Sequence, residues 1–419
     1  MNVARTGLLC PRCEQRYPAR DVRVECACGG LLDAFVEPRL RGSSLRAVFD
    51  GRLGRGDSTW RGSGVWRFRE LLPVSTAAAV SQPEGNTPLY RRPALAAFAG
   101  LEALELKHEG HNPTGSFKDR GMTVAVTHAV RSGARAVACA STGNTAASMA
   151  AYAALAGLPA LVFVPAGKVA LGKLAQVLAY GARTLSVRSD FDGCLQLVRE
   201  AAAALGITLL NSVNPWRIEG QKTIVLELLQ QRRWKAPDWI VLPAGNLGNT
   251  AAFGKALREA RALGLIRTLP RLAAVQAAGA NPFERSFRSG FRRRHRVQAE
   301  TVATAIRIGD PASYERGVRA VRETGGLVTA VSDRRILEAK AAVDAAGLGC
   351  EPASAASLAG VKQLVRRGTI RPGESVVAVL TGHVLKDPQA VLEATAGRKA
   401  GAPVEIDPSV AEVERFLRR

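Results

Sequence analysis

Residues 135–157 read RAVACASTGNTAASMAAYAALAG, a short apolar run that turns through Ser-Thr-Gly-Asn into a longer, alanine-rich segment. The run has the length of a buried strand, and the alanine-rich segment is long enough for a helix. A strand that feeds directly into a helix is the repeating unit of a parallel sheet covered by helices. The same unit recurs outward from this stretch: PALVFVPAG then VALGKLAQVLAYG, RTLSVRS then FDGCLQLVREAAAALG, and DWIVLPAGN then LGNTAAFGKALREARALG. This alternation predicts an α/β fold with parallel-type sheets flanked by helices on both faces. Sites in such sheets lie beyond the carboxyl ends of the strands. The loops ASTGN, PAGK, NSVNPWR, PAGNLGN and LTGH all fall at those ends.

At 419 residues, 47% of them hydrophobic and 22% charged, the chain predicts a globular protein of two domains plus appendages. No run reaches the length of a membrane helix, and MNVARTGLLC lacks the apolar core of a signal peptide, so the expected location is the cytoplasm. The net charge of +22, with patches FRRRHRV at 291–297 and QQRRWK at 230–235, raises nucleic-acid binding. The arginines are otherwise dispersed and no groove-reading signature accompanies them, so the charge favours small anionic ligands over specific nucleic acid. Residues 41–65, rich in Gly, Arg and Ser, read as an irregular connector. The basic stretch 285–300 reads as a surface insertion or flexible loop.

Cys139, Cys194 and Cys350 stand singly in apolar segments and are expected to be buried thiols. Cys10 and Cys13 form one close pair, in CPRC, and Cys26 and Cys28 another, in CACGG. Four thiolates on two knuckles suit tetrahedral Zn²⁺, although C-x-C is tighter than the usual C-x-x-C. Four reduced structural cysteines without metal is the competing reading.

Lys118 lies in HNPTGSFKDRGM (111–122), after a turn and at the start of a helix-like run. A loop-to-helix junction exposes unpaired N–H groups and a positive dipole end, which lower the pKa of a nearby ammonium and suit a Schiff-base lysine. On this segment alone, a solvent-facing lysine is the commoner outcome. In PAGNLGNT the glycines Gly245 and Gly248 follow a strand and open a helix, a phosphate-cup pattern that is neither a P-loop nor a dinucleotide fingerprint. Ser141, Thr142, Asn144 and Thr145 crowd another helix start with neutral donors. Asn211, Ser212 and Arg217 in NSVNPWRIEGQK, with Lys173 in GKLAQ, supply the charge and forks for a dianion. Thr381 in LTGH offers a neutral hydroxyl at a strand end. A lysine, a phosphate cup, a hydroxyl and a second anion site together fit pyridoxal 5′-phosphate (PLP) chemistry on an amino acid that carries a phosphate.

HEGHNPTGSFKDRGM, STGNTAAS, GKLAQ, NSVNPWRIEGQKT, LPAGNLGN, ATAIRIGDPAS, EPASAASLAG and TGHVLKDP, in this order, resemble the threonine synthases of the tryptophan synthase β-like superfamily. The resemblance runs from SGVWRFRELLPV near residue 63 to about residue 390, and the cysteine segment is similar to the zinc-ribbon-like front end of many members. It implies a two-domain PLP-dependent fold: a cap at 1–38, a large domain from 39–118 and 218–419, and a small α/β domain at 119–217. It further implies that Lys118 holds PLP, that Phe117 packs the ring, and that Asn144 binds its phenolic oxygen. Gly245, Asn246, Leu247, Gly248 and Asn249 would cradle its phosphate, with Thr381 on the ring nitrogen. Ser141, Thr142, Asn144 and Thr145 would hold the substrate carboxylate region, and Lys173, Asn211, Ser212 and Arg217 its phosphate. The implied reaction converts O-phospho-L-homoserine and water to L-threonine and phosphate, by γ-elimination and β-addition, in a homodimer. Two departures stand near the cofactor: His111 where a small or aliphatic residue is expected, and Val384 where glycine is expected after TGH. A paralogous dehydratase or cysteate-synthase-like enzyme is the nearest alternative, and a zinc-bearing nucleic-acid-binding protein the remote one.

Overall fold

The computed structural model describes residues 5–54, 57–167, 171–189, 191–389 and 405–418. Strands β1 (Arg5–Leu9), β2 (Arg16–Pro18) and β3 (Asp33–Glu37) form an antiparallel sheet in the order β2-β1-β3. Strands β4 (Leu89–Arg91) and β5 (Leu104–His108) belong to a six-stranded sheet, whereas β6 (Ala136–Ala140), β7 (Ala160–Pro165), β8 (Arg183–Val187) and β9 (Ile207–Leu209) form a separate four-stranded sheet, β8-β7-β6-β9. Strands β10 (Trp239–Pro243), β11 (Arg271–Ala277), β12 (Leu327–Val331) and β13 (Val376–Leu380) complete the larger sheet in the order β12-β11-β10-β13-β5-β4. Every pairing in the two larger sheets is parallel except β4 with β5. Residues 135–157 are β6 leading into the helix Asn144–Leu155, and the three units like it also become strand then helix.

Strands β10 and β13 are buried along their whole length, as continuous apolar runs in a parallel sheet require. β5 is buried throughout as well, yet reads Leu-Glu-Leu-Lys-His. Glu105 pairs with Arg91 at 2.6 Å, and Lys107 joins a buried ion cluster in which Glu227 receives Lys107 at 2.6 Å, Arg120 at 2.8 Å and Arg67 at 3.1 Å, while Arg120 also grips Glu109 at 2.7 Å. Arg120 lies on the helix Lys118–Arg131, so the cluster fixes the helix that begins with Lys118.

One expectation needs correction: residues 41–65 are not irregular throughout, because Gly42–Asp50 is a helix whose Leu45 and Phe49 enter the core. The 285–300 stretch lies mostly at the surface, as one of its two readings has it, with Phe291 packed on Phe283 at 5.2 Å and the Val297 amide donating to the Gly309 carbonyl at 3.1 Å. Cys139, Cys194 and Cys350 are buried thiols. Among the described residues no helix is long and apolar enough to cross a membrane.

Candidate active site

Gly115, at φ +84°, makes the turn that precedes Lys118, a conformation that costs glycine least. Asp119 closes the turn by accepting the Thr114 amide at 2.7 Å and the Thr114 hydroxyl at 2.6 Å. Burial lifts the Asp119 carboxyl to about 6, against those same hydrogen bonds. The turn is zipped to the segment after β13: the Phe117 amide donates to Thr381 O at 3.1 Å, and the His383 amide to Gly115 O at 2.9 Å. Lys118 and Thr381 therefore share one backbone frame.

The Lys118 ammonium sits 4.2 Å from the Phe117 ring centroid. Its pKa is held down to about 7, first by burial and then by the positive charge of Arg217, with Glu351 opposing. A neutral amine is therefore abundant near pH 7, as a nucleophile or base requires.

Between β10 and the helix Gly248–Ala262 the chain passes through Leu247 in the left-handed region, at φ 63°. A side chain on Gly245 would press on Ile306 at 3.0 Å, whereas one on Gly248 would meet nothing nearer than 3.8 Å. Around this helix start the Asn249 amide, the Thr250 hydroxyl and the Gln221 Oε1 are buried with no hydrogen-bond partner among the described residues. Buried polar atoms are rarely left unmatched, and a helix N-terminus with spare donors fits a phosphate. The side chain of Asn246 is occupied elsewhere, accepting the Ala312 amide at 3.2 Å and so holding the wall of the cup.

Just after β13, Thr381 Oγ1 lies 3.0 Å from Ser354 Oγ, and Ser354 also accepts the Thr381 and Gly382 amides at 2.8 and 2.9 Å. The buried carboxylate of Glu351 receives Asn144 Nδ2 at 3.0 Å and Thr381 Oγ1 at 3.4 Å. Burial raises the Glu351 carboxyl, with Asn144, Lys386 and Lys118 pulling the other way. Glu351 and Ser354 received no role in the reading of the sequence. The signal was a lone acid ahead of proline opening an apolar helix, a place where a charge must find a partner.

Asn214 caps the helix Pro215–Gln221, accepting the amides of Trp216 at 3.0 Å and Arg217 at 3.3 Å. Arg217 is 1% exposed and donates Nη1 to Leu210 O at 2.9 Å. Its Nε and Nη2 have no partner among the described residues, and burial lowers its pKa to about 10. A buried guanidinium edge without a counter-charge is costly, and an anion would satisfy it. Ser212 is half-buried beside it, with its carbonyl 3.8 Å from a side chain built on Gly248. Asn211 does not present a free amide, because it exchanges two 3.1 Å hydrogen bonds with the Ala140 backbone. Lys173 lies on the helix Leu171–Ala179, with its side chain outside the described residues. Ser141, Thr142, Asn144 and Thr145 gather half-buried at the start of Asn144–Leu155. His111 is exposed and meets Tyr90 Oη at 3.3 Å. Val384 packs against Gly349.

The groups described are thus a lysine that readily loses its charge, a helix start with unmatched buried polar atoms, a hydroxyl relay and a buried arginine whose Nε and Nη2 have no partner among the described residues. Residues 80–382 match the family described as pyridoxal-phosphate dependent enzyme. The chain is 47% identical to a threonine synthase from Methanosarcina acetivorans, over 92% of this chain and 93% of that one. It is 42% identical to a threonine synthase from Methanocaldococcus jannaschii, over 98% of each. The solved structure of threonine synthase from Escherichia coli superposes with a TM-score of 0.70 at 20% identity, covering 98% of this chain and 94% of that one, which speaks for the fold.

Proposed function

The chain belongs to the pyridoxal-phosphate dependent enzyme family and, within it, to the threonine synthases, and from that membership we propose how its residues convert O-phospho-L-homoserine and water to L-threonine and phosphate. The observation that carries the assignment of roles is the unpaired, buried guanidinium edge of Arg217, close enough to Lys118 to depress its pKa. PLP, when bound, supplies an electron sink for the charge released beside the substrate amine. The unmatched atoms of Asn249 and Thr250, with Gly245, Asn246, Leu247 and Gly248, would hold its phosphate. Thr381 would face the ring nitrogen, Phe117 the ring, and Asn144 the phenolic oxygen. Lys118 would hold the cofactor covalently and, once displaced by the substrate amine, move protons at Cα and Cβ. Ser141, Thr142, Asn144 and Thr145 would orient the substrate carboxylate. Arg217, Ser212 and Lys173 would bind the substrate phosphate and keep hold of it as it departs, while Asn211 shapes the loop.

Arg217→Ala should lower kcat/KM for O-phospho-L-homoserine by roughly 2–4 kcal/mol, as truncating one partner of a buried charge pair does. Binding of an amino acid without a phosphate, monitored through the cofactor spectrum, should hardly change. Equal losses for phosphorylated and unphosphorylated amino acids would show Arg217 to be a structural residue.

In the cap, the sulfurs of Cys10, Cys13, Cys26 and Cys28 lie within 4.8 Å of one another, a set that fits one tetrahedral Zn²⁺. We expect about one zinc per chain by metal analysis. Cys28→Ser should lower both metal content and thermal stability while sparing the chemistry of the surviving enzyme. Full zinc content in a variant without all four cysteines would place the metal elsewhere. We further take the enzyme to be a cytoplasmic homodimer, divided into a cap at 1–38, a large domain from 39–118 and 218–419, and a small domain at 119–217.

A further inference from the structure

We propose that the N-terminal cap is a clamp on the loop and helix that carry Arg217, with Arg316 as its principal positioning residue; this rests on the reading of residues 212–217 as the substrate-phosphate site. Arg316, on the helix Tyr314–Glu323, is 3% exposed, and its guanidinium works in three directions. Nε pairs with Asp33 at 3.1 Å, Nη2 donates to Leu32 O, and Nη1 donates to Val213 O at 3.1 Å. Leu32 and Asp33 belong to the cap, whereas Val213 lies between Ser212 and the capping Asn214. Arg319 holds the other oxygen of Asp33.

Two more relays run beside it. Nε2 of His128 donates to Ala19 O of the cap at 3.0 Å, and the same ring stacks on Trp216 at 3.8 Å and 17°. Lys255 donates to Ala34 O of the cap and also to Glu219. The contacts therefore reach Val213, Trp216 and Glu219, which bracket Arg217 on both sides. None of the three relays contacts a cysteine of the cap, and none is among the groups assigned to cofactor or substrate. Their shared effect is to fix the backbone from which Ser212 and Arg217 project. A rigid backbone matters here because a planar fork binds a tetrahedral anion through both arms only at one orientation.

The test uses the full-length holoenzyme, with inorganic phosphate as the equilibrium probe and O-phospho-L-homoserine for kinetics. Arg316→Gln should weaken phosphate binding and raise KM about tenfold, the size expected for one lost charge-assisted hydrogen bond, while kcat and bound PLP change little. His128→Phe keeps an aromatic ring on Trp216 but severs the link to Ala19, so a smaller shift of the same kind is expected. It also serves as the deciding variant if Arg316→Gln fails to fold. Arg217→Ala is the reference: if it leaves phosphate binding intact, the substrate-site reading falls. If Arg217→Ala weakens phosphate binding but the folded cap variants do not, or if they lower kcat and PLP content in proportion, the clamp is overturned.

Discussion

Lys118→Ala is expected to fold, to bind PLP without a covalent link, and to lose at least about 10⁴-fold in turnover, because one amine acts as both covalent anchor and proton carrier. The choice of lysine rests on its surroundings. Lys107, Lys222, Lys255 and Lys340 are more deeply buried than the half-buried Lys118, but each has a carboxylate partner: Glu227, Glu219, Glu219 and Asp344 respectively. Each of those amines is already engaged by its carboxylate. Lys118 has no carboxylate in salt-bridge range among the described residues, and its pKa rests at about 7, so it can give up its proton near neutrality. Borohydride reduction of the wild type should therefore mark the peptide that contains Lys118. A label on Lys222 or Lys173, or a variant with appreciable turnover, would sink the assignment.

Glu227→Ala should be the most damaging substitution to stability, by about 3–5 kcal/mol, the range for removing one member of a buried ion pair. The carboxylate also accepts the amides of Asn86 at 2.8 Å and Thr87 at 2.9 Å, so its loss strands donors as well as the cations Lys107, Arg120 and Arg67. Burial works against the charge on Glu227, but Arg120 and Lys107 outweigh it and hold the carboxyl far below the ordinary range. A depressed carboxyl stabilises fully above its unfolded value of about 4.3 and loses that contribution as pH falls toward the folded value. Denaturant titrations should show the wild type weakening in acid, with that component missing from the variant. A change under about 1 kcal/mol at neutral pH would mean that the cluster is hydrated rather than dry.

The strand-to-helix units were legible because each is local: an apolar run, a turn residue, then helical spacing. Sheet order was not. β13 lies between β10 and β5, and nothing in VVAVL names those neighbours. The placement of Lys118 and Gly248 at helix starts, and of Arg217 just inside one, was legible because loop grammar survives in one dimension. Glu351, Ser354, Arg316 and Lys255 were hidden because each is defined by a partner far along the chain. Asn211 was read as a free donor, but the edge of β6 occupies its amide, a competition only tertiary structure reveals. The Gly42–Asp50 helix was masked by glycine and arginine around a short apolar face.

The backbone zipper between Gly115–Phe117 and Thr381–His383 also bears on the order in which the polypeptide is made. The lysine is synthesised well before the Thr381 carbonyl and the His383 amide that hold its turn. Until β13 arrives to fill the gap between β10 and β5, the nascent protein has neither a finished sheet nor a seated Lys118. On the proposed role of Lys118, capture of the cofactor aldehyde waits for residues made well after the lysine itself, so a product terminated before β13 lacks the frame that seats it.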